Sequence, residues 1–459
     1  MAYETGRTAD PISQALVFHG PAGWHRVDAV FAMTVSAEIG HIVYSIGEQT
    51  ISLPPPEPVL ALVREQRAVA ARSSRGPWWR MLVVLTDSGA PQVDYDYGDE
   101  PFPPGQLFEP QAYRTDLSAY PRDRVPVWLA AYIGHGSRQR RAPQQAAAQE
   151  RADRADAVWA TLTVNEFPPF PEMWARWATL AAAFIATGST WGPRMLPWTG
   201  VFEGAGHHGS TLHALPGGRA VLSGGVWNAP ALDAAYNDGA SIPNLYAGAP
   251  HWVSDPTLNL RAESGLLSFC YWWEAGCWYR GQSPTATECA AAVPGMWTRD
   301  TVAGILAGLL PDGRDDRCDA IAAMTAAAEA GVITRGILRD VFGDDDRFDI
   351  DGAYHQYLLA GLAPPEMEPI PAAEACSRVR DYITGLGLDT TGYPLSQLTA
   401  ERFGVGWTVH VPVPEGALAI GRAIFCVGDD GVLEHSTADP ETATAQFERR
   451  FAERNGVGA

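Results

Sequence analysis

The side chains best suited to chemistry are three histidines, His207, His208 and His213, within one glycine-rich stretch. Histidine titrates near neutral pH and can therefore act as a general base or as a metal ligand. A zinc site needs further carboxylate or thiolate ligands, and Glu203 is the only acid close by in the sequence. Adjacent side chains of a strand point to opposite faces, so His207 would share a face with His213 and not with His208. We expect all three to be polar histidines of a loop without a catalytic role. The alternative hypothesis is a hydrolase or ligand-binding site around His207 and His208.

Three glycines of the same stretch, Gly204, Gly206 and Gly209, have the spacing of the dinucleotide-binding fingerprint. That fingerprint requires a buried strand before it and a helix after it, because the amino terminus of the helix binds the pyrophosphate. Pro216 and the glycine pair 217–218 follow instead, and a helix interior would carry neither. The sequence therefore predicts a turn-rich loop.

Six cysteines lie in the second half of the chain, without a CxxC pair. Cys270 and Cys277 flank the turn of a predicted hairpin, and the register of that hairpin would place residue 280 or 281 opposite Cys270. A disulfide between the two cysteines is therefore not expected. We expect them to be small buried apolar residues.

The acidic run 343–352 has the composition of a calcium loop. Aligning Gly352 with the invariant glycine of such a loop places Arg347 at the first ligand position and Leu358 at the twelfth, where a glutamate is required. The sequence therefore predicts an acidic surface turn without a metal.

The composition is that of a globular protein, with 46% hydrophobic and 19% charged residues and a formal net charge of −20. Nucleic-acid phosphates and anionic membranes repel such a chain, so we expect neither as a partner, and a basic partner is favoured. All 33 basic residues are arginine. The absence of lysine excludes Schiff-base chemistry, the phosphate-loop lysine and the kinase lysine.

The amino-terminal residues lack the basic and then apolar plan of a signal peptide, and no apolar run reaches the roughly 18 residues of a membrane helix. No GxSxG, HExxH or Cys-His signature occurs in a persuasive setting. We therefore expect a cytoplasmic protein that is not an enzyme, with no catalytic residue, no metal ligand and no cofactor.

The segment 76–133 predicts an antiparallel hairpin. Trp78 and Trp79 lead into the apolar run 81–85, and the turn-forming residues 87–89 follow. The strand after the turn alternates apolar or aromatic residues with carboxylates, which predicts one buried face and one exposed face. We expect its aromatic residues to point inward and its carboxylates outward.

The same hairpin is the leading candidate for a binding surface. Eight acidic residues and two arginines lie between Asp87 and Asp123. Carboxylates steer a basic partner, and nearby aromatic rings supply the desolvated anchor of an interface. The alternative is an ordinary solvated sheet face. The candidate partner-binding residues are Asp94, Tyr95, Asp96, Tyr97, Asp99, Glu100 and Phe102.

The order of these features resembles the YezG-like family of bacterial immunity proteins. The shared features are a tryptophan before a strand, an aspartate–glycine turn, the strand sequence DYDYGDEPF beginning at Asp94, and a closing Trp128–Leu129 segment. The upstream Gly23–Trp24 fits the same layout. The resemblance covers residues 1–135 and implies an α+β immunity domain that binds a cognate protein toxin.

The composition changes at three points farther along the chain. Residues 136–156 are strong helix formers without a core face, which predicts a charged linker helix; the alternative is a basic patch at 138–141. An aromatic, strand-rich middle domain is predicted over 157–298. Apolar residues at three- and four-residue spacing predict a helical segment over 299–365.

Within the middle domain, an aromatic helix is predicted at 173–186 and a hairpin at 266–281. Both faces of that hairpin are apolar, so we expect it to be buried on both sides or to lie in an interface. The pair Gly217–Gly218 and the run Ser223–Gly224–Gly225 predict turns between short strands.

Residues 372–459 predict a small α+β domain with a helix, three strands and a closing helix. This pattern resembles the YrhB-like immunity domain, which has the same Gly406–Trp407 strand, a following strand that ends in aspartate–glycine, and a closing helix. The sequence thus predicts an α+β, multi-domain fold of antiparallel sheets with flanking helices.

The leading functional hypothesis is a non-enzymatic immunity protein of a polymorphic toxin system. It would bind a cognate toxin and occlude its active site, and the net charge favours a basic toxin such as a nuclease. The hydrolase or ligand-binding hypothesis for the middle domain stands beside it, as does a purely structural role in a toxin cluster.

Overall fold

The computed structural model describes residues 10–87, 89–310, 317–343, 347–363, 369–387, 390–391, 393–412 and 423–455. These residues form two compact units. Unit 1 takes those within 1–166, 204–211 and 216–292, and unit 2 takes those within 167–203, 212–215 and 293–459.

The described residues contain helices and strands that alternate along the chain. The helices are α1 (Asp10–His19), α2 (Glu57–Ala70), α3 (Pro110–Ala119), α4 (Val127–Gly134), α5 (Pro143–Ala155), α6 (Phe170–Ala186), α7 (Pro230–Asn237), α8 (Arg299–Leu309), α9 (Cys318–Ala330), α10 (Arg335–Phe342), α11 (Ile350–Leu359), α12 (Ala372–Gly385) and α13 (Pro440–Asn455). The strands are β1 (Arg26–Met33), β2 (Glu38–Ile46), β3 (Gln49–Leu53), β4 (Arg80–Thr86), β5 (Gln92–Asp96), β6 (Thr161–Thr163), β7 (Arg194–Leu196), β8 (Thr199–Glu203), β9 (Gly209–Leu215), β10 (Arg219–Gly225), β11 (Phe269–Glu274), β12 (Cys277–Arg280), β13 (Thr399–Phe403), β14 (Gly406–His410), β15 (Ile424–Gly428) and β16 (Leu433–Ser436). The strands form three antiparallel sheets, so the chain has the predicted α+β, multi-domain fold.

The first sheet of unit 1 has five strands in the order β3–β2–β1–β4–β5. Its inward residues, among them Phe31 and Met81, pack with residues of α1 and α2 such as Leu16 and Val63, because every second side chain of a strand points to the same face. The predicted hairpin is confirmed as β4 and β5. β3 was not predicted, because all five of its residues are exposed and the strand has no apolar face.

A second core of unit 1 lies where α3 and α4 pack at one end of this sheet. Trp79, Phe102, Tyr113 and Trp128 meet there, and their rings contact mainly edge to face. The paired tryptophans of the sequence therefore separate, since Trp78 belongs to the first core and Trp79 to the second.

The segment predicted as a charged linker helix forms α5. It does more than connect, because it buries Ala146 and Asp153 within unit 1. The Asp153 carboxylate accepts hydrogen bonds from the backbone N–H of Gly248 at 2.8 Å and from Gln149 at 2.7 Å. Gln139 exchanges two hydrogen bonds with the backbone of Leu267. Polar side chains thus fasten a segment that has no apolar face.

The second sheet has the strand order β6–β12–β11–β10–β9–β8–β7. The hairpin of β11 and β12 has the predicted register, with Glu274 opposite Cys277, and β11 is buried on both faces. The turn at 217–218 is confirmed, with both glycines at positive φ. The turn predicted at 223–225 is wrong, since these residues end β10. A Cβ on Gly224 would lie 2.5 Å from the carbonyl oxygen of Gly209, so close packing accounts for this glycine.

Unit 2 is organised around α6, which is buried on nearly all sides by helices α8, α9 and α11. Trp174 donates from Nε1 to the carbonyl of Ala360 at 2.9 Å, and the buried Arg176 donates to Glu329 at 2.9 Å. The helices predicted over 299–365 are confirmed. Residues 167–203 belong to the same unit as these helices, although they lie within the middle domain predicted over 157–298. A helix without a polar face needs partners on every side, and the later helices provide them.

The remaining part of unit 2 has a four-stranded sheet in the order β13–β14–β15–β16. The sequence predicted α12, β14, β15, β16 and α13, and it missed β13. Helix α12 packs with Val409 and Val427 in one cluster, whereas α13 packs with Cys426 in another, so helices cover both faces of this sheet. Among the helices of the described residues, none combines the length and the hydrophobicity needed to cross a membrane.

Candidate functional site

The five-stranded sheet has one face packed against α1 and α2, and we call its opposite face the open face. In the strand register, Val30 lies opposite Leu82 and Asp28 lies opposite Val84, while Leu82 lies opposite Asp94. Val30, Val43, Leu82 and Val84 are half-buried and belong to neither of the two cores described above, whereas Ala32, the next residue of β1 on this face, is buried in the second core. The open face is defined by Asp28, Val30, Val43, Leu82, Val84 and Asp94.

The charges of the open face lie around its apolar centre. Asp28 is paired with Arg26 at 2.6 Å. Asp94 is exposed and has no ion pair among the described residues. Asp99 and Glu100 follow the edge strand β5 and are exposed as well. The rim also holds two arginines, each paired with an aspartate, so it is polar and of mixed charge with a small excess of acid. An apolar centre within a polar rim is the usual anatomy of a protein–protein interface.

Tyr95 of β5 and Tyr97, which follows the strand, point inward, as predicted. Tyr95 stacks on Trp78, with ring centroids 6.3 Å apart, and its hydroxyl accepts a hydrogen bond from Gln66 at 2.8 Å. Tyr97 lies under the guanidinium of Arg75, 3.9 Å from the ring centroid. Both tyrosines are packed against the first core. Both rings are half-buried on the helix-covered side of the sheet, so they do not lie on the face that carries Asp94.

Phe102 is also removed from the candidate surface. Its side chain is 5% exposed and lies in the second core, 5.1 Å from the ring of Trp128. The sequence could not locate it, because Phe102 follows the end of the strand and the alternation of the hairpin no longer applies there.

Asp96 is on the outward side of β5 but is engaged within the molecule. It forms an ion pair with Arg80 at 2.8 Å and accepts a hydrogen bond from the backbone N–H of Gly98 at 2.8 Å. Burial raises the pKa of Asp96 above its ordinary value, against the opposing effects of these two partners. Of the predicted carboxylates, Asp94, Asp99 and Glu100 remain available to a partner.

A buried ion pair, which the sequence analysis missed, fixes the position of this hairpin. Arg67 of α2 donates to both carboxylate oxygens of Asp116 in α3 at 2.8 Å. Asp116 is fully buried and also accepts from Trp79 Nε1 at 3.0 Å and from the backbone N–H of Val35 at 2.9 Å. Arg67 donates further to the carbonyl of Trp78 at 3.0 Å. Nothing in the local sequence shows that residues 67 and 116 meet.

His207 and His208 lie in the turn between β8 and β9, which confirms the turn-rich loop. His207 has a positive φ of 61° and packs on Trp227, with ring centroids 4.8 Å apart. His208 Nδ1 accepts from the backbone N–H of Trp227 at 3.0 Å, and burial, with Arg261 and His207 nearby, lowers the pKa of His208. The expectation that His207 shares a strand face with His213 is wrong, because β9 begins only at Gly209.

His213 lies in β9 and belongs to unit 2. Its Nδ1 is 3.1 Å from the hydroxyl of Thr199, and its Nε2 is buried without a hydrogen-bond partner among the described residues. Burial lowers the pKa of His213, because the charged form loses hydration. Within the part of the chain that the structure describes, no three His, Cys, Asp or Glu side chains are placed to hold a metal ion.

The remaining motifs have structural roles. Cys270 and Cys277 are not joined by a disulfide, and both are free thiols, as are Cys289, Cys376 and Cys426. In the acidic run 343–352, Asp349 accepts from the backbone N–H of Gly352 at 2.7 Å and caps α11, while residues 344–346 lie outside the described residues. Comparison with protein-family models and with characterised proteins finds no match for this chain.

Proposed function

We propose that this chain is a non-enzymatic, cytoplasmic immunity protein that binds a basic bacterial toxin domain and blocks its active site. Two independent features support the proposal. The first is the resemblance of residues 1–135 to YezG-like immunity proteins. The second, on which the proposal mainly depends, is the open face, where half-buried apolar side chains outside the two cores around the first sheet lie within a polar rim that includes the exposed Asp94.

The physical argument starts from burial. Val30, Val43, Leu82 and Val84 are only half-buried, and covering them with a partner would remove apolar area from water at about 25 cal/mol per Å². Binding is favourable where such area forms a centre from which water is excluded by a polar rim. The open face therefore replaces the tyrosines and Phe102 as the proposed anchor.

The charge of the chain sets the class of partner. A net charge of −20 attracts a cationic domain over distances comparable to the Debye length, about 8 Å at physiological salt. Asp94, which lies opposite Leu82 in the strand register, places part of this charge beside the apolar centre, and the exposed Asp99 and Glu100 follow the same edge strand. Rim charges act chiefly on the association rate, and truncation of a central anchor acts on dissociation. A nuclease with a basic active-site groove would be attracted by the negative charge and could cover the apolar centre.

The experiment is rescue of bacterial growth when the full chain is co-expressed with the toxin gene next to its own, with binding measured on the purified pair. Leu82→Arg changes the apolar centre, and Asp94→Arg reverses the sign of the rim. Glu65→Arg is the matched control, because Glu65 is exposed on α2, which covers the opposite face of the sheet. We expect Leu82→Arg to abolish rescue and Asp94→Arg to lower the association rate about tenfold or more, with the control unchanged.

Two results would contradict the proposal. Rescue by the chain without residues 1–135 would place the function elsewhere in the chain. Unchanged binding by both folded open-face variants, with unfolding midpoints equal to the parent, would show that the open face is ordinary sheet surface.

A further inference from the structure

An open cleft of about 810 Å³ lies at the amino terminus of α5 in unit 1. Its volume is within the range of small-molecule sites. The ten residues that line it include three arginines and no aspartate or glutamate, in a chain whose acids outnumber its bases 53 to 33. The lining side chains with hydrogen-bond donors are Ser137, Arg138, Arg140, Arg141, Gln145 and Gln149, of which the Gln149 amide already donates to Asp153.

Backbone carbonyls hold two of these arginines in place. Arg138 donates from Nε to the carbonyl of His135 at 3.1 Å and from a terminal nitrogen to the carbonyl of Gly134 at 3.2 Å. Arg141 donates to the carbonyls of Arg138 and Arg140 at 2.7 and 2.9 Å. A carbonyl fixes the direction of a guanidinium without neutralising its charge, so both side chains are ordered and remain cationic.

The third arginine is weakly paired. Arg140 is 3.5 Å from Glu263, and the side chains of the two residues are 46% and 78% exposed. An ion pair of this length and exposure contributes little, so an anion in the cleft can displace Glu263 from Arg140. The nearby acids Glu150 and Asp153 have other partners, since Glu150 binds His251 and Asp153 binds Gly248.

The thirteen-residue helix α5 adds to the positive potential. Gln145 Oε1 accepts from the backbone N–H of Ala142 at 3.0 Å, which leaves the amide nitrogen of Gln145 as a donor on the cleft side of the helix start. Pro143, the first residue of α5, has no N–H and the N–H of Ala146 donates to the carbonyl of Ala142, so the backbone donors of the first turn without an intrahelical acceptor are those of Gln144 and Gln145. The helix dipole favours an anion there.

From these observations we propose that the cleft binds a small molecule that carries a phosphate group. Several guanidinium groups beside a helix amino terminus match the multiple oxygens of phosphate better than they match a single carboxylate. The net charge of −20 opposes a long nucleic acid, whereas a compact anion is exposed mainly to the local field. The proposed ligand also gives a role to the basic patch predicted at 138–141. The proposed toxin binding plays no part in this inference.

The test is calorimetric titration of the full chain with inorganic pyrophosphate at low ionic strength. Arg140→Gln is the main variant, because its half-exposed side chain makes no backbone contact that the fold needs. Arg151→Gln, an exposed arginine of the same helix outside the cleft lining, is the matched control. We expect Arg140→Gln to weaken binding about tenfold or more, as the loss of a charge-assisted hydrogen bond does, and Arg151→Gln to change it less than twofold. Arg138→Lys, which keeps the charge but loses the fork of donors, should also weaken binding.

Three further ligands separate the sources of the signal. If ADP binds more tightly than pyrophosphate, the ligand is a nucleotide. If the two bind equally, the site recognises the phosphate groups alone. Both results support the site. Citrate binding as tightly as pyrophosphate would overturn the assignment to phosphate. A single-stranded oligonucleotide that binds more tightly than ADP would overturn the assignment to a small molecule. The proposed site would be overturned if neither pyrophosphate nor ADP gave a binding heat. It would also be overturned if Arg140→Gln and Arg151→Gln weakened binding equally.

Discussion

Replacement of Asp116 by asparagine should strongly destabilise unit 1. The carboxylate accepts four hydrogen-bond contacts, at 2.8, 2.8, 2.9 and 3.0 Å, and is fully buried. Asparagine has nearly the same shape, but its amide nitrogen cannot accept a hydrogen bond, so donors from Arg67 or Trp79 are left without an acceptor. The change also leaves the guanidinium of Arg67, which is 5% exposed, without its counter-ion.

The expected cost follows from this geometry. Breaking a buried ion pair by neutralising one partner typically costs about 3–5 kcal/mol, because the other charge stays buried and uncompensated. At about 1.4 kcal/mol per factor of ten, the opening equilibrium of unit 1 should rise by roughly two to three and a half orders of magnitude. The loss is large compared with the roughly 5–15 kcal/mol stability of an ordinary domain.

Native-state hydrogen exchange of the full chain is the appropriate assay, since a chain of two units need not unfold in one step. Amides of β1 and β4 should exchange faster in Asp116→Asn, whereas those of α6 in unit 2 should not change. Arg67→Met and the double variant complete a mutant cycle. The double variant should cost clearly less than the sum of the single variants, because it removes both charges together.

The matched control is Asp123→Asn, which removes an exposed carboxylate seven residues along the chain. This variant should change the free energy of opening, as measured by hydrogen exchange, by less than about 0.5 kcal/mol. A cost below about 1 kcal/mol for Asp116→Asn, or strict additivity of the double variant, would refute the view that the ion pair holds α2, α3 and the hairpin together.

Three further outcomes are expected in the second sheet. Gly200→Ala should destabilise unit 2 by about 1–3 kcal/mol, because the new Cβ would lie 2.7 Å from Nε1 of Trp177; hydrogen exchange of α6 measures the loss, and unchanged exchange would contradict it. His213 has a lowered pKa in the fold, so the unfolded chain binds more protons and unit 2 should lose stability as the pH falls from above through the ordinary histidine pKa near 6.5. The thermal unfolding midpoint of His213→Asn should depend less on pH than that of the parent. An identical pH dependence in both proteins would disprove the assignment of this effect to His213. The double change His207→Ala, His208→Ala should leave toxin rescue intact, whereas loss of a hydrolytic activity measured in a panel of ester and phosphoester substrates would favour the hydrolase hypothesis.

Local sequence determined most of the element types. The helices of 299–365, the hairpin of β4 and β5, and the register of β11 with β12 follow from the spacing of apolar residues and from turn residues, which act over a few positions. The same alternation correctly placed Tyr95 and Tyr97 on the buried face and Asp94 on the exposed one. The prediction missed the exposed strand β3, whose five residues have no buried face to produce a pattern.

Tertiary structure decided which of these residues a partner can reach. Asp96 looks equivalent to Asp94 in the sequence, and only the fold brings Arg80 beside it. The apolar centre of the open face became visible only when residues of β1, β2 and β4 lay side by side. The net charge, the missing lysines and the arginine cluster at 138–141 are properties of the sequence alone. Whether acids neutralise that cluster depends on distances between residues far apart in the chain, and only folding sets those distances.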